Sequence, residues 1–271
     1  MTPLQRATAS AVWRCTSQGR HAHGGAVPAV VLALALVLSS ATQAQLLSPL
    51  VPAEGGQVPA PWRVVGFPKA RAHIPVTRFE VATVQAERAI RVSTQASYGT
   101  LVHDLSHPST GRLQWRWRLD QPLTGGQVQP DILSKAGDDA ALKVCVMFDH
   151  PLDRVPFVER SKLRLARSLS GEDLPAATLC YVWDSTRPAG LHGENPYSRR
   201  VRFISLQGQA TALGQWQTET RDVAQDFASV FADELPANAR VPDMRAVLIG
   251  ADSDNTGSHS AGWVAALRFL P

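Results

Sequence analysis

A mainly β fold is expected, an antiparallel β-sandwich of jelly-roll-like form with one or two short helices. Two observations point to it. Period-two alternation of apolar and polar residues recurs from Trp62 to the end of the chain, and clusters of Gly, Pro, Asp and Ser separate the runs. With 44% hydrophobic and 18% charged residues, the chain has enough apolar material for a sizeable core and too little charge for disorder.

The 271-residue chain opens on a targeting signal. Arg6, Arg14 and Arg20 make the start basic, and no acidic residue precedes Glu54. The apolar run Ala26 to Leu38 follows, then small residues at Thr42 and Ala44, where a signal peptidase reads. That run falls short of the ~20 apolar residues a membrane span needs. Residues 1–44 are therefore expected to be a signal peptide, 45–61 a Pro/Gly-rich linker and 62–271 a single β-sandwich domain. Gln45 after the cut offers no thiol for lipid attachment. The expected location is periplasmic or secreted, with no transmembrane segment once the signal is removed. The leader holds three Arg and no acid, so its loss leaves 24 Lys+Arg against 23 Asp+Glu. A near-neutral chain gives no electrostatic basis for nucleic-acid binding.

The clearest strand is Leu113-Gln-Trp115-Arg-Trp117-Arg-Leu119, apolar on one face and polar on the other. Phe79 and Val81 alternate with polar residues, as do Ile90, Val92, Thr94 and Ala96. Val201 with Phe203, and Trp263, Ala265, Leu267 and Phe269, give later strands. Two stretches break the pattern. Val155 to Leu169 is charged and Leu-rich and stops before Gly171, and Asp222 to Phe231 sets Val223, Phe227 and Val230 at helical spacing. Cys145 and Cys180 sit midway in LKVCVMF and TLCYVW, opposite the main apolar stripe of each run. They are either a disulfide between paired strands or two buried thiols.

Several blocks recur in order: Leu113-x-Trp115-x-Trp117; Asp138-Asp139-Ala140-Ala141 leading to Phe148-Asp149; Leu179-x-Tyr181-Val182-Trp183; Asn195-Pro196-Tyr197; Trp216-x-x-Glu219-x-Arg221-Asp222-x-x-x-Asp226; and Asp252-Ser253-Asp254-Asn255-Thr256-Gly257. In this order, from about Trp62 to Phe269, the chain resembles the bacterial domain of unknown function 3047 family. The resemblance implies an exported, jelly-roll-like domain and brings no known activity.

The most suggestive stretch chemically is Asp252 to Gly257. Alternating oxygen side chains closed by glycine look like half of a calcium loop, with Asp252 and Asp254 as ligands. The twelfth position is Trp263, which excludes an EF-hand, and Asp and Asn beside Gly also build ordinary turns. No cofactor motif is present, and Ca²⁺ is the one ion these residues suggest. Carboxylates also gather at strand ends: Asp138, Asp139, Asp149, Asp184, Glu219, Asp222 and Asp226. Glu219 and Arg221, two apart in a strand, share a face and are expected to pair there. Trp183 and Tyr197 are placed for a rim, where a ring stacks on a sugar; the alternative is an anchor at the sandwich edge. Ser258-His-Ser260-Ala-Gly262 lacks the helix and following triad members of a nucleophile elbow, and His103 and His107 flank a turn rather than share a helix face.

Because the run after Asp138-Asp139 and the run before Asp252 are expected to be antiparallel neighbours, Asp252, Asp254 and Asn255 should meet Asp138, Asp139, Glu219 and Arg221 at one edge. No catalytic motif survives inspection. The leading expectation is a non-catalytic module binding a glycan or a cell-envelope component. The alternatives are a carbohydrate-active hydrolase or lyase using paired carboxylates, and a structural envelope protein.

Overall fold

The structure, a computed structural model, describes Leu47 and residues 56–109, 111–170 and 173–270. The expected signal peptide lies outside the described residues, as does much of the linker. Of that linker, Leu47 is buried in the core and Gly56 bridges Val81.

Twelve strands and two α-helices are described in chain order. They are β1 (Arg63–Val65), β2 (Arg78–Val84), β3 (Glu87–Gln95), β4 (Tyr98–Ser109), β5 (Arg112–Thr124), β6 (Leu142–Phe148), α1 (Phe157–Ser170), β7 (Ala177–Trp183), β8 (His192–Glu194), β9 (Val201–Gln207), β10 (Gln217–Asp222), α2 (Val223–Val230), β11 (Met244–Asp252) and β12 (His259–Leu270). The strands form a seven-stranded sheet, β1-β4-β11-β6-β7-β9-β8, and a five-stranded sheet, β10-β5-β12-β3-β2. The chain crosses between sheets from β1 to β2, β3 to β4, β4 to β5, β5 to β6, β9 to β10, β10 to β11 and β11 to β12, which gives the sandwich its jelly-roll-like form. The strand ladders are antiparallel except β7 with β9, which run parallel. The intervening segment 184–200 supplies the length a parallel return requires.

The two sheets bury their facing sides against each other. Trp115 and Trp117 on β5 meet Tyr181 and Trp183 on β7 at ring-centroid distances of 5.1 and 5.6 Å, Trp115 with Tyr181 and Trp117 with Trp183. These aromatics fill the space between sheets, each removing a large apolar area from water. Trp117 Nε1 still needs an acceptor and donates to Glu219 Oε1 at 3.0 Å. At one end α2 enters the core: Phe227 packs 4.2 Å from Phe148 and 4.6 Å from Phe231. Asp222 caps this helix, its carboxylate accepting from Gln225 N–H at 2.9 Å.

β12 departs from simple alternation. A bulge between Ala265 and Arg268, with Ala266 at φ 51°, resets its parity. Val264 and Phe269 therefore both face the core, while Trp263 lies on the outer face and donates Nε1–H to Asp120. The expected stripe through Trp263 and Phe269 does not exist.

The central strands β6, β7 and β11 of the seven-stranded sheet are largely buried on both faces, and all seven residues of β7 are buried. Its outer face carries a second apolar cluster of Val102, Cys145, Cys180, Val182, Phe203 and Leu248, joined by Ile132 from the loop before β6. Cys145 and Cys180 are directly paired across β6 and β7 and form a disulfide. The helix α1, between β6 and β7, is held by a small satellite cluster of Val155, Leu163 and Ala176.

Replacing the core tryptophan, Trp117→Ala, is expected to lower unfolding free energy by about 3–5 kcal/mol, read from the urea midpoint. An unchanged midpoint would show that the aromatic layer does not hold the sheets together.

Candidate functional site

Register decides which loops meet. β6 and β11 are antiparallel neighbours with Lys143 opposite Gly250, so the start of β6 and the end of β11 lie together. Residues 138–141 lead into β6 and the turn 253–258 follows β11. Asp252 extends this pairing beyond the ladder: its N–H donates to Ala140 O at 3.0 Å and its Oδ1 accepts from Ala140 N–H at 2.8 Å. Asp252 Oδ2 accepts from Lys143 Nζ at 2.6 Å. Both oxygens are thus taken by the protein itself.

Asp139 ties the next turn down. Its carboxylate accepts from Thr256 N–H at 2.8 Å, Thr256 Oγ1 at 2.6 Å and Asn255 N–H at 3.3 Å. Asn255 Nδ2 returns a bond to Asp138 O at 2.9 Å. A third segment joins from 57 residues away, where Asn195 Nδ2 donates to Asp138 Oδ2 at 2.5 Å. Asn195 Oδ1 meanwhile accepts from the N–H groups of Tyr197 and Ser198, so the loop that presents it is fixed by its own turn. The exposed Tyr197 hydroxyl lies 2.8 Å from Lys135 O and 3.2 Å from Asn255 Oδ1.

Beside these groups a pocket of about 40 Å³ opens on the outer face of the seven-stranded sheet. Asp138, Lys143, Asn195 and Asp252 form its polar side, while Ile132, Val182 and Phe203 form an apolar wall. The disulfide half Cys180 also lines it.

Crowding sets the charge states. Burial, then the neighbouring Asp252 charge, pushes Asp138 up to about 6. The same two causes push Asp254 up to about 6 and raise Asp139, although Thr256 and Asn255 partly hold Asp139 down. Burial opposes the charge on Lys143, yet the facing Asp252 carboxylate keeps its pKa above the ordinary lysine range. The Tyr98 ring lies 5.6 Å from Lys143 Nζ, and burial raises its phenol.

The sequence-derived set therefore divides. Asp138, Asp139, Asp252, Asp254, Asn255 and Tyr197 belong to the cluster. Glu219 and Arg221 do not. They lie on β10, where Glu219 serves Trp117 and accepts from Gln207 Nε2 at 2.7 Å. Arg221 pairs with Asp226, not Glu219, at 2.6 Å, and Asp226 also takes the Tyr181 hydroxyl at 2.7 Å. Their polar groups complete the aromatic core. Trp183 is buried rather than on a rim, because its side chain points between the sheets. Among the described residues, no group of three or more His, Cys, Asp or Glu is arranged to hold a metal ion such as the calcium suggested for Asp252 and Asp254, and each Asp252 oxygen already accepts a protein donor. Lys143 and Asn195 stand outside the site residues expected from the sequence. Lys143 interrupts an apolar run on the cysteine side of β6, a visible signal; Asn195 stands in the same short block as Tyr197, but nothing local ties that loop to Asp138.

Asp138 has a pKa of about 6 in the folded protein against 3.8 as an isolated group, so ionising it destabilises the fold. That loss sets in as pH rises from about 4 to 6 and persists above. Asp138→Asn keeps an acceptor for Asn195 and removes the charge. It should stabilise by about 1–3 kcal/mol at pH 7.5 and have no such effect near pH 4. Equal effects at the two pH values would contradict the burial of an ionised carboxyl.

No curated protein matches the chain. Among solved structures, the xyloglucanase domain of NopAA, a type three effector from Sinorhizobium fredii in complex with cellobiose, is similar at TM-score 0.35 and 9% identity, covering 84% of this chain and 92% of that one. The K3 cleaved adhesin domain of Lys-gingipain from Porphyromonas gingivalis is similar at TM-score 0.29 and 10% identity, covering 80% and 99%. The family model DUF3047, protein of unknown function, matches residues 60–268, and the chain belongs to that family.

Proposed function

We propose that this DUF3047 protein is a non-catalytic, extracytoplasmic module that binds glycan hydroxyls at the Asp138–Asn195 pocket. One observation carries the reading. Directional donors and acceptors, Asp138, Asn195 and the Lys143–Asp252 pair, face an apolar wall of Phe203 and Val182 in one small pocket. A sugar presents the matching combination, hydroxyls on an apolar carbon frame. At about 40 Å³ the pocket admits a hydroxymethyl or a pair of hydroxyls, with the remaining ring outside, near Tyr197. The carboxylate acceptors are already oriented by Asn195, Thr256 and Ala140, so little ordering remains on binding. The disulfide fits an oxidising compartment and supports a periplasmic or secreted location.

Charge argues for binding over hydrolysis. Two-carboxylate glycoside cleavage requires one acid held protonated and a partner left ionised. Here Asp139 and Asp252 are committed to protein donors, and Asp138 and Asp254 are both pushed in the same direction. Glu219 and Asp226 are likewise held by core donors.

The test is a glycan array of bacterial and plant oligosaccharides, followed by titration calorimetry on the best ligand. Asp138→Ala and Asn195→Ala should each weaken binding by about tenfold or more, since a hydrogen bond to a charged group contributes roughly 1.5–3 kcal/mol. Binding should also weaken as pH falls through about 6, where Asp138 and Asp254 lose their charge. Retention of no glycan by a folded protein, or equal affinity in both variants, would sink the reading.

A further inference from the structure

The helix α1 is built the opposite way from α2. The shorter α2 buries Val223 and Phe227 in the main core. By contrast α1 buries Leu163, in the satellite cluster, and leaves three large apolar side chains in solvent: Phe157 is 72% exposed, Val158 61% and Leu165 61%. At about 100° per residue these three lie on the side facing away from Leu163, with the exposed Ser161 and Ser168 among them. Lys162 and Arg164 stand about 100° to either side of Leu163, so a cation borders the outward stripe on each flank. Arg160 adds a third near one end, its guanidinium 5.8 Å from the Phe157 ring centre. The single acid of α1, Glu159, is turned toward the body and bonded to Lys162 at 2.9 Å. The outward face is thus apolar in the middle, basic at both borders and free of carboxylates.

We propose that α1 is a contact for an anionic lipid surface. It lies in the membrane plane, with Phe157, Val158 and Leu165 at the headgroup–acyl boundary and Lys162 and Arg164 among lipid phosphates. Charge complementarity selects this occupant. A second copy of the chain would bring the same cations face to face, whereas an anionic bilayer offers both the apolar interior and the countercharge. Fourteen residues are too few to cross a bilayer, and among the described residues no helix is long and apolar enough to do so. Three apolar side chains and two border cations give reversible, salt-sensitive attachment, independent of the glycan pocket.

The test is co-sedimentation of the whole protein with vesicles of phosphatidylcholine alone or mixed equally with phosphatidylglycerol. Binding is expected to the mixed vesicles, weak or none to phosphatidylcholine, with a marked decrease at high salt. Phe157→Ser with Leu165→Ser should reduce binding at least tenfold, as should Lys162→Glu with Arg164→Glu. Thermal melts of both doubles should stay near that of the parent, because these side chains are exposed. No binding to mixed vesicles, equal binding to both compositions, or full binding by either double overturns the proposal. So does concentration-dependent self-association that the same substitutions abolish, which would assign the face to a second copy.

Discussion

One buried ammonium group lets four aspartates meet at the end of a β-sheet. Lys143 reaches across the outer face of the seven-stranded sheet to Asp252, with the Tyr98 ring beside it. Its path exists because the residue opposite is Gly250, where an added Cβ would lie 3.1 Å from Lys143 Cε, from Gly99 O and from Thr100 Cγ2. Strand register thus places the cation, and the cation offsets the repulsion among carboxylates that burial has stripped of water. Asp252 then holds Ala140, Asp139 holds the 253–258 turn, and Asp138 receives Asn195. The pocket is the space these ties leave between the loops and the apolar outer face.

The sandwich keeps two kinds of polar side chain apart. On β10, Glu219 and Arg221 turn inward and satisfy the polar tips of the core, Trp117 directly and Tyr181 through Asp226. Those groups are bonded to core partners and serve stability. At the Lys143 end, Asp138 and Asp254 stay poorly compensated at a cost to the fold. In the proposed binding role, a ligand would supply the partners that these charges lack.

Much of this was legible in order and type. Alternation in β5 located Trp115 and Trp117 in the core, and opposite parity put both cysteines on the outer face, where they are bonded. Reasoning from neighbouring strands brought Asp138 and Asp139 to the 252–255 turn. The failures have physical causes. β7 is buried on both faces, so no polar side existed to show that Trp183 points inward. A one-residue bulge at Ala266 reversed the parity of Trp263, and bulges leave little trace in composition. Glu219 and Arg221 alternate like solvent-facing residues, yet they face aromatic tips. Asn195 arrives through β7, β8 and a parallel pairing that local pattern does not encode.

The account stands on the charge of Lys143, and Lys143→Met tests it while preserving the length and apolar bulk of the side chain. Unfolding free energies of variant and parent would be measured by urea at pH 7.5 and again at pH 5. Loss of one partner of a buried ion pair is expected to destabilise by about 3–5 kcal/mol at pH 7.5. The deficit should be smaller at pH 5 by the share that comes from Asp138 and Asp254, both at about 6, while the share from the Asp252 pair remains. A deficit of the same size at both pH values would mean that Lys143 acts only through Asp252 or through packing, and that its charge does not offset Asp138 and Asp254.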